Sequence, residues 1–328
     1  MQQKATIKII STNSSPSHLQ NNFTHNKTNF YFIHNSESNP RVISIDKTYL
    51  TNQSNIGSLI KSFNNSETNE MIFVKSVVIN NTNYIAIGLY GGFKLWSLDG
   101  NRLLYQIPTK NQKPNRPYAF TSICEFQAEA SSNGNDSLLC GDNYGQLFMV
   151  FGHGSNWKSK LINKEPNGIT SVSNYKGSKY ICVTYDNNNN VLYKLENGEC
   201  KEIKKFKEEN LSMVSACVKD KNGKYYCGCG MINGEIKVYG FDSLICEVSI
   251  SSHLRGINAL IGVNNCLVGG SDDGCVNIWR IGGKVEVVHN IQIEDKMIVG
   301  ICYDDEKKVL YVSAYDCPEI IMVENVNL

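Results

Sequence analysis

Apolar and polar positions alternate along most of the chain in short runs that are separated by polar turns. The stretch LVGGSDDGCVNIWRI (267–281) is the clearest example, with an apolar run, a turn at Gly274 and a second alternating run that ends near Trp279. Period-two alternation rich in β-branched residues predicts strands, and a glycine in the turn predicts a hairpin. We find no segment with the periodicity of an amphipathic helix, so the sequence predicts an all-β protein.

The same hairpin pattern recurs six more times along the chain. Each copy has an apolar strand, a turn residue and a second strand, and the turn residues are Pro40, Gly91, Gly145, Asn189, Gly234, Gly274 and Pro318. Neighbouring turn residues are 40 to 54 positions apart. Asn189 is expected to adopt the positive φ that glycine adopts in the other turns. A repeat of this length with paired strands is typical of a β-propeller, and the count predicts seven blades.

Each repeat can be extended to four strands, with one strand before the hairpin and one after it. The residues after Val323 are too few for the outer strand of the last blade, whereas residues 5–10 (ATIKII) form a strand with no blade of their own. We therefore predict that residues 5–10 complete the last blade and close the ring, which removes exposed sheet edges. Residues 1–328 are then predicted to form a single propeller.

The sixth repeat resembles the WD40 family. The residues that carry the resemblance are His253, Asp273-Gly274 and Trp279, although Trp-Arg stands where the family has Trp-Asp. The resemblance implies that His253, Asp273 and Trp279 belong to a structural hydrogen-bonded tetrad, and that Gly269 occupies the position of its hydroxyl residue. Further segments resemble one branch of this family, namely 29–44, 233–260, 269–281 and 314–320. The resemblance thus implies a divergent seven-bladed WD40-type propeller with a cytoplasmic role in protein interaction.

Composition and motifs argue against several functional classes. The formal net charge is +1, so the chain as a whole lacks the basic character of a nucleic-acid-binding protein. No apolar run approaches 18 residues, and the first residues lack a signal-peptide pattern, so we expect no membrane span and a cytoplasmic location. Phosphate-binding loops and nucleophile motifs are missing from the sequence. We therefore expect a protein that is not an enzyme and needs no cofactor or small molecule.

The twelve cysteines do not show a metal-binding spacing. Cys227 and Cys229 are the closest pair, and alternation places both on one face of the same strand. Because no second pair lies nearby in the sequence, we predict that they are packed thiols and that no metal is bound. Asp272-Asp273-Gly274 resembles part of a calcium loop but lacks the further carboxylates that such a loop needs.

Large side chains recur near the turn between the second and third strands of the blades. In WD40 proteins this turn and the loop between blades lie on the top face, where partners commonly dock. Aromatic residues and methionine are frequent interface anchors. We predict a non-catalytic platform that binds a protein or peptide on this face through Tyr90, Tyr144, Tyr185, Met231, Arg255 and Tyr315. The alternative is that these side chains pack between blades and serve the fold.

An alternative function is a propeller-type hydrolase with a site in the central channel. Such a site would need carboxylates or histidines from the inner strands of several blades. The inner segments offer mainly Ser, Val and Cys, with Glu125 as a single carboxylate. The sequence therefore favours the interaction platform.

Overall fold

A computed structural model describes residues 5–12, 14–35, 40–47, 61–64, 71–108, 117–127, 136–196, 198–293, 295–326 and 328. In these residues the chain forms seven four-stranded antiparallel sheets, arranged as blades in a ring. The prediction of a seven-bladed β-propeller is confirmed. Nothing in the described part of the chain forms a helix that is long and apolar enough to cross a membrane.

The strands follow one another from the inner strand a to the outer strand d of each blade. Strand β1 (Thr6–Ser11) comes first in the chain and belongs to the last blade. Blade 1 contains β2 (Thr24–His25), β3 (Asn29–His34), β4 (Arg41–Asp46) and β5 (Lys61–Asn64). Blade 2 contains β6 (Met71–Ile79), β7 (Thr82–Leu89), β8 (Gly92–Ser97) and β9 (Leu103–Pro108). Blade 3 contains β10 (Phe120–Phe126), β11 (Ser137–Asp142), β12 (Gln146–His153) and β13 (Asn156–Lys164).

The remaining blades follow the same order. Blade 4 contains β14 (Ile169–Asn174), β15 (Tyr180–Tyr185), β16 (Asn189–Glu196) and β17 (Glu199–Lys207). Blade 5 contains β18 (Ser212–Lys219), β19 (Tyr225–Met231), β20 (Glu235–Gly240) and β21 (Cys246–Ser251). Blade 6 contains β22 (Ile257–Val263), β23 (Cys266–Ser271), β24 (Cys275–Arg280) and β25 (Glu286–Gln292). Blade 7 contains β26 (Ile298–Asp304), β27 (Val309–Ala314) and β28 (Glu319–Glu324), with β1 as its outer strand.

The ring is closed by the two ends of the propeller. β1 pairs antiparallel with β28, from Thr6 opposite Glu324 to Ser11 opposite Glu319. The strand begins one residue later than the predicted range 5–10, but its place in the last blade is as predicted. Because the first strand completes the last sheet, unfolding of that blade requires both ends of the propeller to separate.

Glycines in strand b allow neighbouring blades to pack closely. A Cβ atom added to Gly141 would lie 2.6 Å from Cγ2 of Ile169, which begins the inner strand of the next blade. A Cβ atom added to Gly270 would lie 2.5 Å from Cγ2 of Ile298, which begins the inner strand of blade 7. Since the blades lie side by side, a larger residue at either glycine would push the inner strand of the next blade away.

Hydrogen bonds from β-bulges also join the inner strands of neighbouring blades. The inner strands of blades 3, 4 and 6 each contain a bulge whose side chain donates to a backbone carbonyl of the next blade. These bonds are Thr121 Oγ1 to Ile169 O (2.6 Å), Thr170 Oγ1 to Ser212 O (2.8 Å) and Asn258 Nδ2 to Ile298 O (3.2 Å). The bulge residues thus stiffen the wall of the central channel where the inner strands begin.

Most of the turn residues predicted from the sequence lie in the turns between strands b and c. Gly91, Gly145, Gly234 and Gly274 all have positive φ, as a tight turn requires. In blade 4 the prediction was wrong by one position, because Asn188 has the positive φ (62°) whereas Asn189 begins β16. In blade 7 the residue with positive φ is Asp316 rather than Pro318, whose ring fixes φ at a negative value.

Candidate functional site

One end of the propeller carries both the turns between strands b and c and the loops that lead from strand d to the next blade. We call this end the top face. It is where the predicted binding residues were expected. The structure places them in three different environments.

Tyr185 and Met231 do not belong to an accessible surface, and this part of the prediction was wrong. Tyr185 is 2 % exposed and Met231 is fully buried. Each is the last residue of strand b, in β15 and β19, so its side chain points between the sheets and not into the turn. Tyr185 bonds through its hydroxyl to the buried hydroxyl of Tyr193, at 2.9 Å. Both residues therefore serve the core.

Tyr90 and Tyr144 lie together on blades 2 and 3 and are half-buried. Tyr144 stacks on Tyr118, with ring centroids 5.4 Å apart and planes at 27°. The Tyr118 hydroxyl donates to the buried Asp142 carboxylate at 2.7 Å, and the backbone of Tyr90 bridges to Ala119. We call Tyr90, Tyr118 and Tyr144 the tyrosine cluster. The Tyr118 and Tyr144 rings pack on each other, which leaves less of their area for a partner.

Asp142 holds this cluster in place. Its Oδ1 accepts the backbone N–H groups of Tyr144 and Gln146, at 2.9 and 2.8 Å. Burial raises the pKa of Asp142 above its ordinary value, although the hydrogen bonds from Gln146 and Tyr118 oppose that shift. Burial and the nearby Asp142 also raise the pKa of Tyr118. The loop before blade 3 and the turn within it are thus fastened by a buried polar contact.

On blades 5 to 7 the top face instead presents exposed apolar side chains. Leu254, in the loop between blades 5 and 6, is 92 % exposed, and Ile232, in the turn of blade 5, is 50 % exposed. Arg255 is also exposed, and Tyr315, in the turn of blade 7, is 46 % exposed. We call Ile232, Leu254, Arg255 and Tyr315 the C-terminal rim. Of these four residues, the sequence analysis predicts only Arg255 and Tyr315 as binding residues.

Leu254 is exposed on a loop that is held firmly at its base. Its backbone N–H donates to Asp273 Oδ2 at 2.8 Å, and the neighbouring His253 places Nδ1 3.2 Å from Asp273 Oδ1. Asp273 Oδ1 also accepts the backbone N–H of Cys275 at 2.9 Å. The loop that carries the exposed leucine is therefore held to the turn of blade 6 by a buried His–Asp contact.

Of the three residues predicted to share a tetrad, the structure joins His253 to Asp273 and leaves Trp279 apart from them. Trp279 Nε1 donates to Ser252 Oγ at 2.8 Å, so the tryptophan does not join the His–Asp pair through a shared hydroxyl. His253 Nε2 is buried and lacks a hydrogen-bond partner among the described residues. A Cβ atom added to Gly269 would lie 3.1 Å from that nitrogen. Burial lowers the pKa of His253, which favours the neutral imidazole.

Tyr315 is linked to the rest of the rim by His18. The His18 ring packs edge-on against Tyr315, with centroids 5.4 Å apart, and its Nε2 lies 3.4 Å from Asp272 Oδ1 in the turn of blade 6. His18 belongs to the segment that joins β1 to blade 1 across the top face. The sequence prediction missed this contact because nothing in the local pattern shows where a connecting segment will cross the ring.

The same segment reaches the central channel. Asn21 N–H donates to the Asn258 carbonyl at 2.9 Å, and Asn21 Oδ1 accepts the N–H of Leu260 at 3.1 Å. Asn22 N–H donates to the Val299 carbonyl at 2.8 Å. Gln20 and Asn21 line the channel beside residues of the inner strands. The segment thus attaches to the channel walls of blades 6 and 7.

The central channel contains a cavity of about 490 Å³ lined by the inner strands. Its hydroxyl groups are bonded to the backbone of the neighbouring blade: Ser122 Oγ accepts the Val172 N–H at 2.9 Å, and Ser171 Oγ accepts the Ser215 N–H at 2.9 Å. Glu125, the carboxylate considered for a hydrolase, accepts the Val78 N–H at 2.8 Å, and burial raises its pKa. These side chains therefore join the inner strands of neighbouring blades.

The structure brings together thiols that the sequence analysis treated as isolated. Cys227 and Cys229 share a face of β19, as predicted, but the expectation that no further pair lies nearby was wrong. Cys182 reaches them from blade 4, with its Sγ 3.7 Å from Cys229 Sγ, and Cys217 lies opposite Cys227 on β18. These partners come from other strands, so spacing along the sequence cannot show them.

Comparisons with known proteins establish the fold and nothing more specific. No profile of a known protein family matches the chain, and no curated protein matches its sequence. Among solved structures, a chain of the crystal structure of the mitotic checkpoint complex is similar, with a TM-score of 0.71 at 9 % sequence identity. The match covers 96 % of this chain and 90 % of the other. At this identity the likeness supports the seven-bladed propeller alone.

Proposed function

We propose that this propeller is a non-catalytic platform that binds a protein or peptide partner on its top face, through the C-terminal rim. The observation that carries the proposal is Leu254, a large apolar side chain that is 92 % exposed. Exposed apolar residues on flexible loops are common and need no explanation. Leu254 differs because Asp273 and His253 fix the loop that carries it. A fixed anchor loses little conformational freedom when it is buried against a partner.

The neighbours of Leu254 extend the same surface. The backbone of Ile232 lies against Gly256, since a Cβ on Gly256 would be 3.1 Å from the Ile232 carbonyl oxygen. Ser271 Oγ donates to the Arg255 carbonyl at 2.9 Å and so ties the loop to the turn of blade 6. The next residue, Asp272, lies beside His18, which contacts Tyr315. The rim is therefore a connected surface over blades 5 to 7.

The chemistry of the rim suggests the kind of partner. Three of its four residues offer apolar or aromatic area, which suits burial in the centre of an interface. Arg255 is exposed and forms no ion pair among the described residues. A carboxylate on the partner would pair with this guanidinium at the edge of the contact. We therefore propose a partner segment that combines apolar side chains with an acidic residue.

We also propose that the chain is a divergent WD40-type propeller that acts in the cytoplasm. The proposal is supported by the seven blades and by the His253–Asp273 contact, which joins a loop and a turn as the family's tetrad does. The finer resemblance is to WD repeat-containing protein 54, over segments 29–44, 233–260, 269–281 and 314–320. That assignment stays a prediction from short motifs.

The hydrolase and nucleic-acid alternatives have less support. The channel serines and Glu125 are occupied by backbone groups of neighbouring blades. The C-terminal rim carries Arg255 but is otherwise apolar, whereas binding to nucleic acid depends on several Lys or Arg contacts to phosphates. Neither alternative accounts for an exposed leucine on a fixed loop.

The proposal can be tested by affinity capture from native lysate with quantitative mass spectrometry. The bait proteins are the wild type, a Leu254→Ser/Tyr315→Ser variant, and Ile245→Ser as a matched control. Ile245 is 54 % exposed and lies in a turn between strands c and d, at the opposite end of the propeller. We expect a partner that is retained by the wild type and the control and is at least tenfold depleted with the rim variant.

Binding measurements with the purified partner test whether the C-terminal rim contacts it directly. Direct binding should be lost in the rim variant and weakened by Arg255→Glu. Added salt should weaken the binding of the wild type but not that of Arg255→Glu, because the screened attraction belongs to Arg255. A partner bound equally by all baits would refute the assignment to the rim. Turnover of a model ester or peptide in the purified wild type, abolished by a channel substitution, would favour the hydrolase instead.

A further inference from the structure

The strongest feature outside the top face is a group of buried thiols between blades 4 and 5. Cys182 lies on β15, strand b of blade 4, and Cys227 and Cys229 lie on β19, strand b of blade 5. All three side chains are fully buried, and their sulfur atoms lie within 4.8 Å of one another. Cys182 Sγ is 3.7 Å from Cys229 Sγ, and Cys227 Sγ is 3.9 Å from Cys229 Sγ.

These distances fit thiolates that share one metal ion. Tetrahedral zinc with Zn–S bonds of about 2.3 Å has sulfur–sulfur edges of about 3.8 Å, and a three-coordinate ion at the same bond length has edges of about 4.0 Å. The observed separations of 3.7 and 3.9 Å lie at these values. The third pair, Cys182 and Cys227, lies within 4.8 Å, so at most a movement of about 1 Å would bring all three sulfurs to the edges of a shared ion.

The strands explain why the sulfurs converge. Cys227 and Cys229 are two positions apart on β19 and share one face, while Gly228 between them faces the other way, towards Leu267 of blade 6. Cys182 approaches from the neighbouring sheet and supplies the third corner. A site made by two blades is fixed by the packing of the ring and does not depend on a mobile loop.

Side-chain contacts connect the central channel with the thiols. Cys217 and Ser173 both line the channel cavity. Ser173 Oγ is 3.4 Å from Cys217 Sγ and 3.7 Å from Cys227 Sγ, so a polar group and a fourth thiol connect the cavity with the buried cluster. An ion could pass from the channel to the three sulfurs by exchange between neighbouring ligands, and the displaced thiol protons would leave by the same route.

We propose that Cys182, Cys227 and Cys229 bind one thiophilic metal ion of the Cu(I) or Zn(II) type. Thiolate ligands select these ions over the harder Mg²⁺, Ca²⁺ and Mn²⁺. The two candidates differ in what they require. Zn(II) takes a fourth donor, which Cys217 or Ser173 would supply from the channel side, whereas Cu(I) is satisfied by the three sulfurs already in range. The inference does not depend on the top-face function.

The experiment uses reduced, metal-free full-length protein and titrates it with Cu(I) and, separately, with Zn(II). Chromophoric chelators of known affinity, bathocuproine disulfonate and pyridylazoresorcinol, compete for the respective ion. We expect one ion per chain, bound at least about 100-fold more weakly by Cys182→Ala and by Cys229→Ala, since even loss of an outer-shell group weakens metal sites by about 10- to 100-fold. Cys302→Ala, a buried channel thiol in blade 7, is the matched control and should bind as the wild type does.

Cys217→Ala and Ser173→Ala together separate the two ions, because one of these variants should weaken Zn(II) binding whereas both should leave Cu(I) binding unchanged. X-ray absorption spectroscopy of the loaded wild type counts the sulfur ligands directly, so the test does not depend on how well the variants fold. Three or four sulfurs at bonding distance support the site. The proposal is overturned by absence of tight binding to either ion, or by equal affinities in the ligand variants and the control.

Discussion

Blades 3 and 6 show how the same framework can give a closed or an open top face. The strand registers place Phe120 opposite Asp142 in blade 3 and Ile257 opposite Ser271 in blade 6, so these pairs are equivalent. Two positions before each inner strand lie Tyr118 and Arg255. In blade 3 the tyrosine hydroxyl donates to Asp142 within the protein, whereas in blade 6 the hydroxyl of Ser271 donates to the backbone of Arg255.

The difference shows what determines whether a loop side chain is available to a partner. A carboxylate at the end of strand b draws the tyrosine side chain inwards, and Tyr144 then covers it by stacking. A serine at that position bonds to the backbone only and leaves the side chain of Arg255, and Leu254 before it, in solvent. In these two blades the residue that ends strand b therefore decides whether the side chains of the preceding loop are covered or exposed.

The largest effect on this comparison is expected from Asp142→Ala. The change leaves the buried Tyr118 hydroxyl and the N–H groups of Tyr144 and Gln146 without their acceptor. We expect a loss of about 2–3 kcal/mol in the free energy of unfolding, because each unsatisfied buried group costs about 1–3 kcal/mol and removal of the partly buried charge offsets part of it. Equilibrium urea denaturation measures the change.

The matched control for that variant is Ser271→Ala in blade 6. It removes the hydrogen bond that Ser271 Oγ donates to the Arg255 carbonyl and the longer one, at 3.3 Å, that it accepts from the Asp273 N–H, so a loss of about 1 kcal/mol is expected. If both substitutions destabilise the protein equally, the proposed difference between the closed and open loops is wrong.

A smaller effect distinguishes the exposed rings themselves. Tyr144→Ala removes a half-buried ring stacked on Tyr118, and we expect a loss of about 1–2 kcal/mol from the aromatic contact and the lost burial. Tyr315 is 46 % exposed, so Tyr315→Ala should change stability by less than about 0.5 kcal/mol. Thermal and urea denaturation of the two variants compare them. Equal losses would show that Tyr315 is as much a part of the core as Tyr144.

Much of the fold could be predicted from the sequence because alternation and turn residues are local signals. The seven repeats, the four-stranded blades and the return of the first strand to the last blade all follow from the order of strands and turns. The same signals are too coarse to place the end of a strand within one residue. Tyr185 and Met231 are the last residues of their strands and are buried. Tyr315 lies one residue beyond the end of its strand and is exposed.

The candidate sites were less predictable because they depend on contacts between distant strands. Leu254 offered a signal, since it is an apolar residue in a polar loop beside the recognised His253. No comparable signal marks His18, whose position follows from the path of the segment after β1. Likewise, Cys182 and Cys229 are 3.7 Å apart only because blades 4 and 5 pack face to face.

Gly269→Ser is expected to stabilise the protein, because it completes the tetrad below Leu254. A Cβ at this position lies 3.1 Å from His253 Nε2, close enough for a serine hydroxyl to donate to the nitrogen after a shift of a few tenths of an ångström. Since burial lowers the pKa of His253 and favours the neutral ring, Nε2 is able to accept when Nδ1–H faces Asp273. We expect a gain of about 1 kcal/mol, the usual net value of one hydrogen bond, measured by urea denaturation.

Gly269→Ala tests whether that gain comes from the hydrogen bond or from replacing glycine in a strand, and Gly270→Ser tests whether the gain is specific to the position beside His253. The two positions are adjacent on β23, but a Cβ on Gly270 would lie 2.5 Å from Ile298 of blade 7. This control should therefore destabilise the protein by about 1–3 kcal/mol, the usual effect of overpacking. If Gly269→Ser also destabilises, His253 cannot accept the hydroxyl, and the loop of Leu254 already has the most stable base that this blade allows.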